Sequence, residues 1–140
     1  MMKSITFEQK NYALFRAVMG VNMLIHGAGR LFGDYSGFIS KMSGMFDNTF
    51  IPELFVKAGA HLISPIELIF GIMLLVGFKT RLSILILNFN MLMLISGVCI
   101  LQKWELAGLQ MAYVLYLFFL GNFINLNKVS VDEMLGETQN

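Results

Sequence analysis

"LFRAVMGVNMLIHGAGRL" (Leu14–Leu31) is the stretch on which the fold turns. It is long enough to cross much of a bilayer, yet it carries Arg16, Asn22, His26 and Arg30. Arg16, Gly20, Met23, Gly27 and Arg30 recur at i, i+4, i+7, i+11 and i+14, so they share one helix face. Asn22 and His26 form an i, i+4 pair on an adjacent face. An ionisable side chain at membrane depth costs about 2.5–3.5 kcal/mol, so each needs a partner or a cavity. The glycines let a neighbouring helix come close. The stretch therefore reads as a membrane helix whose polar face packs on protein.

Composition supports that reading. The chain has 140 residues, one domain's worth, of which 56% are apolar and 14% charged. A soluble domain carries about 25% charged residues, so the balance points to lipid. The opening "MMKSITFEQKNYALF" lacks a small-residue cleavage site, and the apolar run after it is too long for a signal peptide. A net charge of +1 gives no reason to expect a nucleic-acid partner. Cys99 is the single cysteine, which rules out an intramolecular disulfide, a CxxC redox pair and a four-cysteine metal site.

Four spans are expected, at about 11–31, 54–76, 82–101 and 106–123. "GFKTR" (Gly77–Arg81) and "QKWE" (Gln102–Glu105) are short charged turns, with Trp104 as an interfacial anchor. Short connections predict an all-α, antiparallel four-helix membrane bundle. An even number of spans puts Lys3, Lys10, Lys79, Arg81 and Lys128 on one side and Arg30, Lys41 and Lys103 on the other. The positive-inside rule then makes both termini cytoplasmic. In the long connection, Phe38, Ile39, Met42, Met45 and Phe46 have helical spacing, which predicts a short amphipathic helix, either a surface anchor or a lid. Residues 128–140 read as a polar, loosely ordered tail.

The second span carries Lys57, His61, Ser64, Glu67 and Gly71 on one face, with Pro65 predicted to kink the helix. With Asn11 and Val76 as the cytoplasmic ends, Arg16 lies about 8 Å deep and Glu67 about 14 Å deep, which predicts an Arg16–Glu67 pair. The same estimate puts His26 and His61 at one level, about 22 Å from that side. Two such histidines suit ordinary hydrogen bonding, a quinone carbonyl or a metal; two ligands specify no metal, and no metal site is expected. Asn88, Asn90, Ser96, Gln110, Tyr113 and Tyr116 suit interhelical hydrogen bonds, and Tyr113 is a candidate pocket wall. Eleven methionines suit adaptable packing around an apolar guest.

The stretch "LFRAVMGVNMLIHGAGRL", followed by "PIELIFGIMLLVGFKTRLSIL", resembles the two signatures of the DoxX family. The likeness runs from about Leu14 to Phe123, and Arg16, His26, Gly27, Arg30, Glu67, Thr80 and Arg81 stand at the matching positions, with Arg30 where lysine is common. It implies a four-helix prokaryotic membrane protein and a link to quinone-dependent redox complexes, among them the small subunit of thiosulfate:quinone oxidoreductase.

The leading expectation is a membrane subunit of a quinone-linked oxidoreductase. Glu67, His26 and Arg16 are its candidate catalytic residues. His26, His61, Arg30 and Tyr113 are the candidates for holding a non-covalently bound quinone or quinol that enters between the first two spans. No flavin, nicotinamide or iron–sulfur motif is present, so electrons would come from a partner protein or sister subunit, or from a bound substrate. A homo-oligomer is a further expectation. The alternatives are a noncatalytic anchor or assembly partner and, more weakly, a small-molecule carrier.

Overall fold

Thr6 starts the first helix in a computed structural model that describes residues 4–136. Its hydroxyl accepts from the Gln9 backbone N–H at 3.4 Å, and its own N–H donates to the Gln9 carboxamide at 3.0 Å. Helix α1 then runs Phe7–Phe32, and α2 covers Tyr35–Met45 after an Asp34 cap that accepts from Gly37 N–H at 2.9 Å. The remaining long helices are α3 (Glu53–Val76), α4 (Thr80–Ile100) and α5 (Trp104–Asn122). A 3-10 turn at Ile124–Leu126 and a single helical turn, α6 (Val131–Met134), complete the described residues. Those residues contain no strand. Lys3 and residues 137–140, which entered the charge count and the tail, lie outside them.

Helices α3, α4 and α5 are each long and apolar enough to cross a membrane. Helix α1 has the length, at 26 residues, but Arg16, Asn22, His26 and Arg30 dilute its apolar content. It packs most extensively on α3, while α3 packs on α4 and α4 on α5. Glycine sets the first of these contacts. A Cβ on Gly20 would lie 2.5 Å from the Leu75 backbone nitrogen, and one on Gly71 would lie 2.5 Å from that of Leu24. A Cβ on Gly27 would overlap the backbone of Leu68. The two backbones touch, and only glycine permits it.

Met19, Met23, Leu74, Leu87, Met91, Leu117 and Leu120 form the centre of the core. Tyr12 donates to the Leu120 carbonyl at 2.8 Å, and Tyr116 donates to that of Phe15, also at 2.8 Å; both tie α1 to α5. Outward faces are apolar, as at Leu62 and Ile69 on α3, Leu85 and Phe89 on α4, and Leu115 and Phe118 on α5. Helix α3 continues through Pro65.

The tail departs from expectation. Far from hanging loose, residues 127–134 fold back onto the α3–α4 turn. Gly77 ends α3 in the left-handed region (φ +73°), and Lys79 precedes α4 with no side-chain cap of its own. Asp132, fully buried, supplies the missing cap by accepting from Lys79 N–H at 2.6 Å and Thr80 N–H at 2.9 Å. A carboxylate at a helix N-terminus meets both unpaired donors and the positive end of the helix dipole.

Candidate functional site

The α1–α3 register decides which polar residues meet. Gly20 lies against Leu75, Leu24 against Gly71 and Gly27 against Leu68, so α1 runs antiparallel to α3. Continued along both helices, this register sets Arg16 level with the α3–α4 turn, roughly 18 Å along the axis from Glu67. The expected Arg16–Glu67 pair therefore does not form. The depth estimate took Asn11 and Val76 as matching ends, and the glycine contacts shift the true pairing by about two turns.

Arg16 instead sits in the folded-back tail. Its guanidinium donates to the Asn127 side-chain carbonyl, to the Val129 carbonyl at 3.1 Å and to the Leu75 carbonyl at 3.5 Å. Asn127 in turn donates to the Thr80 hydroxyl at 3.0 Å. Arg16, Thr80, Asn127 and Asp132 are all buried, so this end of the molecule is closed by a hydrogen-bonded polar cluster.

Glu67 finds the other arginine. Arg30 Nη1 donates to Glu67 Oε2 at 2.5 Å, and the side chains are 27% and 3% exposed respectively. The buried Asn90 side chain adjoins the same carboxylate. The Arg30 guanidinium also lies 5.1 Å from the centre of the Phe38 ring on α2. One side chain thus joins the end of α1 to the buried acid of α3 and to the helix that lies across them.

Arg30 also lines a cavity of about 510 Å³. Its walls come from the first half of α3 (Phe55, Gly59, Ile63), the second half of α4 (Phe89, Met93, Gly97) and the start of α5 (Leu106, Gln110). Phe38, Met42, Met45 and Phe46 cover it from α2 and the turn after it. Phe55, Phe89 and Leu92, 59–69% exposed, line it where α3 and α4 present their apolar outer faces. The volume suits a small-molecule ligand, and mostly apolar walls with few polar groups are the usual build of such a site. The amphipathic segment read from residues 38–46 is therefore real, and it forms the roof. The cavity lies among α2, α3, α4 and α5, whereas the sequence suggested an opening between the first two spans.

The histidines do not share a level. The same register separates them by roughly 12 Å along the helices. His26 is exposed and is not a cavity wall. His61 lies beyond the end of α1, where its Nδ1 and the Tyr35 hydroxyl are 2.7 Å apart. Lys57, from the same stripe, pairs with Glu53 at 2.6 Å. Only Ser64, Glu67 and Gly71 of that stripe are buried. Tyr113 packs against the core and does not line the cavity. The described residues hold no cluster of three metal-ligating side chains. Asn127 and Asp132 were missed because nothing local marks them; the only hint is that "GFKTR" opens a helix without a capping side chain.

A helical protein with apolar outer faces, a glycine-packed polar helix and an Arg–Glu pair beside a roofed cavity belongs to a class of small membrane proteins that contact lipid. The DoxX family model matches residues 12–101, and the chain belongs to the DoxX family. The match runs from α1 to the end of α4, shorter than the likeness read from the sequence, so α5 and the folded tail lie beyond it. No curated protein and no solved structure matches the chain.

Proposed function

We propose that this protein is the membrane subunit of a quinone-linked oxidoreductase and holds a quinone or quinol in the cavity beneath α2. The observation that carries the reading is the Arg30–Glu67 pair beside an apolar cavity of about 510 Å³. A lipophilic ring compound needs such walls, and its oxygens need a few donors among them. Several walls lie on outward apolar faces of α3 and α4, which suits entry from the bilayer between those helices.

Bound quinone would supply the electron chemistry; the chain's own residues bind, orient and hold protons. Arg30 donates to a ligand oxygen, and Glu67, held by Arg30, is the buried group able to exchange a proton. His61 acts at one remove, steadying α2 through Tyr35. Electrons reach the site from a redox partner protein or sister subunit.

Helix α1 is the fourth span in this reading. Leu14, Val18, Val21 and Ile25 give it an exposed apolar face at i, i+4, i+7 and i+11, opposite its glycine face. Both termini are then cytoplasmic, in the inner membrane of a bacterium or archaeon.

The test is extraction. Wild-type protein purified in mild detergent is expected to carry quinone, and the Gly59→Phe variant to lose it. A Cβ at Gly59 meets only the Met93 Cε at 3.9 Å, so the larger side chain enters the cavity rather than a backbone. Equal quinone in both proteins would sink the reading. A noncatalytic anchor is the second reading, favoured by Arg16, whose three hydrogen bonds all go to groups that close the tail end. It expects folded wild-type protein with a stoichiometric partner and no quinone.

A further inference from the structure

Helix α3 ends and α4 begins at the turn that carries Gly77, Phe78 and Lys79, and both helices are apolar enough to cross a membrane. The turn therefore lies where lipid chains give way to headgroups. The folded-back segment rests against it, with the Asp132 N–H donating to the Gly77 carbonyl at 2.9 Å. Two stretches far apart in the chain thus meet at one bilayer surface.

Their outward side chains are of the two kinds that such a surface takes. Val129, Met134 and Leu135 are apolar and yet 38–86% exposed. Lys79 and Arg81 are exposed on either side of the buried Thr80, and the Lys79 ammonium lies 6.0 Å from the centre of the Phe78 ring. Beneath them Arg16 and Asp132 are buried and of opposite sign, while Glu133 balances Lys128 at 3.0 Å. Lys10 adds a further exposed cation at this end against Glu8, so its outward charge is positive. The α2 end is the reverse, because exposed Lys41 and Lys103 stand among exposed Asp34, Asp47 and Glu105. An anionic headgroup layer attracts the first arrangement and not the second.

We propose that anionic phospholipid headgroups bind the α3–α4 turn through Lys79 and Arg81 and thereby clamp residues 127–134 in their folded-back position. Asp132 caps α4 between the two cations, so holding the turn at the headgroups holds the segment that caps it. Met134 and Leu135 then stay in the interface, and releasing the segment would return them to water. Lipid composition sets how firmly the sealed end is held, whatever fills the cavity at the other end.

Full-length protein would be placed in nanodiscs of phosphatidylcholine, with or without phosphatidylglycerol of the same acyl chains, and followed by amide hydrogen exchange. Residues 127–134 are expected to exchange about tenfold more slowly with the anionic lipid, the order that two cations at such a surface imply. High salt should erase most of that difference, and residues 35–45 should exchange alike in both discs. Lys79→Gln with Arg81→Gln should remove the difference, whereas Lys41→Gln with Lys103→Gln should keep it. All four side chains are exposed, so both double variants are expected to fold. Equal exchange of residues 127–134 in the two discs would overturn the proposal. So would a difference that survives in the first double variant or is lost in the second. Inorganic phosphate that slows exchange in phosphatidylcholine discs as far as the anionic lipid does would overturn it too.

Discussion

Two arginines stand on one face of α1, fourteen residues apart, and they do opposite things. Arg16 is 4% exposed and spends its hydrogen bonds on Asn127 and two backbone carbonyls in a closed cluster. Arg30 is partly exposed, holds one carboxylate and borders a cavity. The tail end is sealed by residues from α1, α4 and the C-terminal segment, while the α2 end is roofed by a short helix resting on a few contacts. A stripe of polar residues along one helix face is therefore not one site. Identical chemistry becomes structural where partners surround it and cavity-facing where they leave space.

The sharpest way to break the comparison is at the sealed end. Asp132→Ala removes two hydrogen bonds to a charged group, each worth roughly 1.5–3 kcal/mol, and is expected to cost about 4 kcal/mol in all. Thermal unfolding in detergent should show the loss, whereas ligand affinity per folded molecule should hold. Reduced affinity at unchanged stability would contradict the assignment of this end as structural.

At the other end, Arg30→Met strands a buried carboxylate and is expected to cost about 3 kcal/mol, the low end for a buried pair because Arg30 is partly exposed. Adding Glu67→Gln should recover most of that stability without restoring quinone binding. A double variant that binds like wild type would show that the pair serves the fold alone. The tail's Arg16, by contrast, should gain nothing from Glu67→Gln, because the two residues do not touch.

Between the two ends, Gly27→Ala drives a methyl group onto the Leu68 and Ser64 backbone and should cost about 1–3 kcal/mol. Gly29→Ala, two residues away with open space around its Cβ position, should be neutral or slightly stabilising. Comparable losses in both would argue against the α1–α3 register. The smallest effect is expected from Tyr35→Phe, which removes one exposed hydrogen bond to His61 and should cost at most about 1 kcal/mol. Its signature is faster amide exchange over residues 35–45, with α1 and α3 unchanged; no change there would mean that this bond does not hold the roof.

Much of this was legible in residue order. The helix boundaries follow from apolar runs punctuated by "GFKTR" and "QKWE", and α2 from the spacing of Phe38, Met42 and Met45. The glycine face of α1 is visible at Gly20 and Gly27 and is buried as its spacing implied. Glu67 stood out as an acid that needed a partner, but its partner was misread. Depth from a chosen helix end carries an error of whole turns, and here a shift of about two turns exchanged one arginine for the other. His26 and His61 were set level by the same error.

Residue order alone specified which segments are helical, that α3, α4 and α5 are apolar enough to cross a membrane, and that Arg16, Arg30 and Glu67 each required company. Composition and periodicity carry that information because burial is a property of one helix face at a time. Which charge meets which, where the cavity opens and that Asp132 returns to cap α4 were decided only by the tertiary structure. Those outcomes depend on the axial register of one helix on another. That register is set by backbone contact at Gly20, Gly27 and Gly71, across residues far apart in the chain.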